Sequence, residues 1–188
     1  MKTILCYARL LGKIFFDFIP IIVFLVSYEL HHRFYQSTLL LIISTILLTI
    51  YVLIKDKRVP YLALFICFET TLFGWLTIRL HNPDFLQIRD TLYDLVVGGA
   101  IVSTAMMGRP IIKKMFSYMF TLDDQTWIKL SYSWGFVFLM FGIFNEIVRR
   151  NFHVSTWVDY KGVIAIVTVV YGVYLYFKFR DRTTLNFK

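Results

Sequence analysis

The chain has 188 residues, enough for one domain, of which 58% are hydrophobic and 17% charged, below the roughly 25% charged content of soluble domains. Mean hydropathy is +0.65 and the apolar residues fall in long blocks, which excludes a soluble globular class and points to an integral membrane protein. The net charge of +8 is carried between those blocks, where membrane orientation accounts for it, so the basic balance is no argument for nucleic-acid binding.

Six apolar blocks follow one another: Ile14–Leu30, Leu39–Ile54, Tyr61–Ile78, Thr91–Met107, Leu130–Val148 and Val163–Phe177. Each is near the roughly 20 residues that cross about 30 Å of hydrocarbon at about 1.5 Å per residue. Lipid offers the backbone no hydrogen-bond partners, so blocks this long and unalternating predict helices. The expected fold is an all-α polytopic membrane protein with six transmembrane helices, residues 1–188 forming a single integral membrane domain. Lys2, Arg9 and Lys13 precede the first block as in a signal sequence, but Asp17 interrupts it and no small-x-small cleavage site follows. A retained first span is therefore expected. That block also holds Pro20 and Glu29, and a five-span arrangement with it lying at the interface stays open.

Orientation follows from Lys and Arg. Six spans with the N-terminus inside place fourteen of them in the cytoplasm and six outside; moving the N-terminal three across gives eleven against nine. Cytoplasmic loops carry the excess in membrane proteins, so six spans with both termini cytoplasmic are preferred.

Within Ile111–Phe120, the apolar residues Ile111, Ile112, Met115, Phe116, Met119 and Phe120 recur at helical spacing, with Lys113, Lys114 and Ser117 off the stripe. This predicts a short interfacial amphipathic helix on the anionic cytoplasmic leaflet, or else an extension of the fourth helix packed on a neighbour. The fourth block pairs small residues four apart, Gly99 with Ser103 and Ala100 with Thr104. Such a seam brings two helix backbones close, either within the chain or in a homo-oligomer. Tyr171, Tyr174 and Tyr176 close the sixth block as an aromatic belt.

Four acids lie inside the blocks: Asp17, Glu69, Asp94 and Glu146. Intramembrane acids are costly and mark candidate functional positions. Glu146 has Arg149 and Arg150 at i+3 and i+4, which reads as an ion-paired helix end. Asp94 lies about one turn into its block and Asp17 near the inner end of its own, both in reach of water. Glu69 is near mid-block, flanked by Thr70 and Thr71, and must be protonated, paired or facing a wet cavity. Asn145 is a buried amide expected to bond to another helix. Trp127, Trp134 and Trp157 read as interfacial anchors. A loop with Arg149, Arg150, Trp157 and Lys161 reads as solvated, or as a contact for headgroups or a partner.

Cys6 and Cys67 form no CxxC, and none of the four His residues stands at metal spacing from a Cys. Neither GxSxG, HExxH, a P-loop nor GxGxxG occurs, so no residue is expected to be catalytic and no cofactor or metal is called for.

The order of landmarks over Thr121–Lys161 is distinctive. Thr121-Leu122 stands at a helix start, followed by Trp127, Leu130, Trp134, Phe138, Gly142 and Asn145, then Trp157-Val158 with Lys161. Upstream come Phe16-Asp17-Phe18 with Pro20, then Leu76-Thr77, His81, Phe85, Thr91 and Tyr93. This pattern resembles the bacterial intracellular septation protein A (YciB) family of small inner-membrane proteins, from about Lys13 to about Tyr176. Asp123, Ser131, Asp159 and the pair Arg89-Asp90 depart from it. The resemblance implies a non-enzymatic role in cell envelope biogenesis and septation, exercised by contacts with membrane proteins of division or wall elongation. The competing reading is a small transporter or lipid-handling protein using Glu69 and Asp94. Candidate functional residues on either reading are Glu69, Asp94, Asn145, Glu146, Trp157 and Lys161.

Overall fold

The computed structural model describes residues 18–55, 61–117, 120–179 and 184–185. Cys6, Lys13, Asp17 and Met119 lie outside the described residues. Seven helices are described: α1 (Ile19–His31), α2 (Phe34–Lys55), α3 (Tyr61–Leu80), α4 (Asp84–Met106), α5 (Ile111–Phe116), α6 (Asp124–Asn151) and α7 (Val154–Phe179). Two short strands, β1 (Phe120–Thr121) and β2 (Thr184–Leu185), pair antiparallel with Phe120 opposite Leu185. The chain divides into two compact units, Met1–Arg89 and Asp90–Lys188, with the boundary inside α4.

Each of the six apolar blocks holds one helix, and α2, α3, α6 and α7 are long and apolar enough to cross a membrane. Helix α4 has 23 residues, but Asp84, Arg89, Asp90 and Asp94 crowd its first half. The 13 residues of α1 rise only about 20 Å. The fold is an all-α polytopic membrane protein, and its burial pattern agrees. On α2 the hydroxyl residues Ser37, Thr38, Thr45 and Thr49 are buried while Leu40, Leu47 and Ile54 are exposed. A soluble helix would do the reverse; in hydrocarbon the apolar side faces lipid and small polar residues make the contact between helices.

In the first unit, Pro20 occupies the first turn of α1, where its missing amide costs nothing. His32 closes that helix in the left-handed region at φ 51°, its N–H donating to the Tyr28 carbonyl at 2.7 Å. Phe24 and Phe34 then meet edge to face at 5.8 Å, joining α1 to α2. The buried threonines of α2 satisfy themselves by donating one turn back, as Thr45 does to the Leu41 carbonyl at 2.7 Å.

In the second unit, Asp123 caps α6 by accepting from the Thr126 N–H at 3.0 Å, the role its position at a helix start predicts. The core gathers Ile101, Ile112, Trp127, Leu130 and Leu175, and Trp134 meets Tyr171 edge to face at 5.3 Å. Helix α5 is not an extension of α4: Gly108, at φ +68°, and Pro110 separate the two. Ile112 is buried in the core while Met115 and Phe116 stay exposed, and Lys113 pairs with Asp124 at the start of α6. The predicted apolar stripe is thus split, Ile111 and Ile112 packing on the core and Met115 and Phe116 facing outward.

The close seam of α4 lies one residue from its predicted place. A Cβ at Gly99 would meet nothing within 4 Å, whereas one at Gly98 would sit 2.9 Å from the Leu139 amide nitrogen and 3.0 Å from the Gly135 carbonyl oxygen. Gly135 and Gly142 on α6 are equally confined, against Val102 and Leu95. For packing within the chain, small-residue spacing identified the right helix but not its face, because 98 and 99 both lie in a run of small residues.

Candidate functional site

A single polar cluster joins the first turns of the second unit's α4 segment to the facing ends of α6 and α7. Only Phe152 and His153 separate α6 from α7. The expected loop carrying Arg149, Arg150, Trp157 and Lys161 is therefore corrected: the two arginines end α6, and Trp157 and Lys161 lie in the first turns of α7. Apolar blocks underestimate a helix whose polar end is satisfied internally, because helix then continues where hydropathy falls.

The cluster is built around Asn145, which is fully buried. Its Oδ1 accepts from the Trp157 indole Nε1–H at 2.9 Å. Its Nδ2 donates to the Thr91 hydroxyl at 2.8 Å, and Thr91 in turn donates to Glu146 Oε2 at 3.2 Å. This fixes the amide orientation, since the indole is a donor only. Arg149 grips Glu146 with both Nε (3.0 Å) and Nη2 (2.7 Å), and the Arg150 Nε donates to Oε1 at 2.5 Å. Glu146 thus accepts four hydrogen bonds, three from guanidinium groups, which is what a carboxylate at a membrane helix end requires to stay charged.

A second charge pair closes the other side. Lys161 Nζ lies 2.7 Å from Asp90 Oδ2, with both side chains about nine-tenths buried. The same ammonium sits 5.4 Å from the Trp157 ring and 5.7 Å from the Tyr160 ring, so two π faces share a charge that the bilayer would otherwise reject. Tyr160 itself donates to the Phe141 carbonyl of α6 at 3.2 Å.

The structure therefore brings together four of the six candidates: Asn145, Glu146, Trp157 and Lys161. Trp157 is 2% exposed and Trp127 1% exposed, so neither is an interfacial anchor; Trp157 is a buried donor to Asn145 and the solvated reading of Lys161 is likewise corrected. Asp94 is half-buried one turn beyond Asp90, its Cβ 3.3 Å from where a Cβ at Gly142 would lie. Glu69 belongs to the first unit, half-buried on α3, beside Thr70, whose hydroxyl accepts from Arg89 at 2.9 Å. Asp90, Thr91 and Tyr160 complete the cluster without having been singled out as functional. Their partners are tens of residues away, so no spacing within the sequence could pair them.

Alongside the cluster, α4 and α6 leave an open cleft of about 300 Å³, with Leu95, Ile143 and Ile147 on its floor and Thr91, Glu146 and Arg150 at its polar end.

A model of the family described as intracellular septation protein A matches residues 12–181. The chain is 32% identical over 170 residues to the inner membrane-spanning protein YciB of Enterobacter sp. (strain 638), a match covering 87% of this chain and 94% of that one. The protein of the same name from Citrobacter koseri is 33% identical, with the same coverage of both chains. No solved structure matches the chain.

Proposed function

The chain belongs to the intracellular septation protein A family, and on that footing we propose that it serves cell envelope biogenesis and septation as a non-enzymatic inner-membrane scaffold. It acts by contacts with membrane proteins of division or wall elongation. The observation that carries this reading is how completely the polar cluster is consumed by itself. Glu146 accepts four donors and Lys161 is buried against Asp90. A carrier or a catalyst needs an intramembrane carboxylate whose partner or proton can change. Here the charges hold three helix ends in one arrangement, the short turn they support presents exposed Phe152 and His153, and Asp159 is exposed in the second turn of α7.

Those three positions are the ones to probe. Photo-crosslinking residues placed there in living cells should capture proteins of division or wall synthesis. Capture of lipid alone, or only of a second copy of the chain, refutes the reading. Glu69 supplies an independent check. Glu69→Gln keeps the shape and removes the charge, and should complement a deletion strain at matched membrane abundance. An abundant Glu69→Gln protein that fails to complement would favour the carrier.

A further inference from the structure

We propose that the cleft between α4 and α6 is a binding site for an anionic diacyl phospholipid. One acyl chain would lie against Leu95, Ile143 and Ile147, with the phosphate held by Arg150. This goes beyond the scaffold reading and does not depend on any protein partner.

The cleft exists because Gly142 draws the helices together: a Cβ there would lie 2.9 Å from the Leu95 side chain. Beyond that point the helix surfaces part, leaving about 300 Å³, the lower end of the ligand-pocket range of about 300–1,000 Å³. That volume suits one acyl segment, not a whole lipid. Ile143, Ile147 and Arg150 follow at i, i+4 and i+7 and so share one face of α6. Ile143 and Ile147 are about half exposed, hence open to the hydrocarbon from which a chain would enter. Apolar floor and cationic end therefore run in the order that a phospholipid runs from acyl chain to phosphate.

Arg150 is prepared for a phosphate. Its Nε is tied to Glu146 at 2.5 Å, which fixes the plane of the guanidinium. Its side chain is 69% exposed, and neither Nη has a hydrogen-bond acceptor among the described residues. That leaves the outer edge of the fork, the geometry that grips phosphate oxygens in pairs. The nearby carboxylates do not cancel it. Glu146 is taken up by Arg149 on both oxygens and Asp90 by Lys161. Asp94 is beside Gly142 at the deep end, about 12 Å along α6 from Arg150. Arg150 is thus the outermost charge of the cleft, and it is positive.

The test uses the purified full chain in detergent, titrated with equal amounts of phosphatidylglycerol and phosphatidylethanolamine, bound lipid being counted by native mass spectrometry. The expected preference for phosphatidylglycerol is about fivefold, the effect of one arginine near anionic lipid. Arg150→Gln should abolish it, while Arg33→Gln, which removes the same charge from an exposed site in the first unit, should not. On the unmodified chain, phosphatidylglycerol with a photoactivatable acyl chain should label the α6 peptide containing Ile143 and Ile147, a readout independent of any variant's folding. Equal binding of the two lipids, a preference that survives Arg150→Gln, or labelling confined to other helices would each overturn the proposal.

Discussion

Exchanging adjacent glycines of α4 isolates the cost of helix contact from every other effect. Gly98→Ala and Gly99→Ala lie on the same helix, one residue apart, so the gain in helix propensity, up to about 1 kcal/mol, is common to both. The new methyl groups meet different surroundings. At Gly99 nothing lies within 4 Å, whereas at Gly98 backbone atoms of Leu139 and Gly135 stand at 2.9 and 3.0 Å. Ordinary contact begins at 3.4 Å, so α6 must move by about half an ångström, and backbone cannot rotate aside as a side chain can. That movement loosens Gly135 and Gly142, which are seated by the same approach. Overpacking of this kind costs about 1–3 kcal/mol, and bilayer helices have no hydrophobic drive to pull them back together. Gly98→Ala should therefore be about 1–3 kcal/mol less stable than Gly99→Ala, with Gly99→Ala equal to or above the parent. Reversible unfolding of both in mixed micelles measures the difference. Equal stabilities, or the opposite order, would refute this packing and restore the face that carries Gly99 and Ser103.

Lys161→Met should leave Asp90 buried without its cation and cost about 3–5 kcal/mol in the same assay, while adding Asp90→Asn should recover part of the loss. Trp157→Phe keeps the apolar packing but removes the donor to Asn145, and should cost about 0.6–1.7 kcal/mol, the range for single hydrogen bonds between membrane helices; no measurable change would remove Asn145 from the centre of the cluster. With six spans, fourteen Lys and Arg stand against six, which predicts both termini in the cytoplasm, so reporter fusions at Lys2 and Lys188 should both read as internal; opposite readings would mean that the first block does not cross.

Hydropathy made the helices legible because the bilayer constrains length and polarity so strongly that each of six blocks holds one. Helix ends were read less well, and for one reason. Val154 to Gly162 has the composition of a loop, yet it is helix because Trp157 and Lys161 find partners on α6 and α4. Glu146 was legible as an ion pair since its arginines are local, at i+3 and i+4. The Lys161–Asp90 pair was not, being joined only in three dimensions. The tryptophans were misplaced for a related reason: an indole beside charged residues has the same sequence signature whether it faces headgroups or, like Trp157, donates inward to a buried amide.

The turn of only two residues between α6 and α7 bears on how the protein is made. Trp157 reaches Asn145, and Glu146 holds Arg149 and Arg150, entirely within this one hairpin, so these polar groups find partners close in the chain. Asp90 is different. It is synthesised some seventy residues before Lys161, and α4 must hold its acid without that partner until the last long helix is complete. A chain that stops before Val154 lacks both the Lys161 cation that lies against Asp90 and the Trp157 donor to Asn145, so α7 completes a cluster that α4 and α6 only begin.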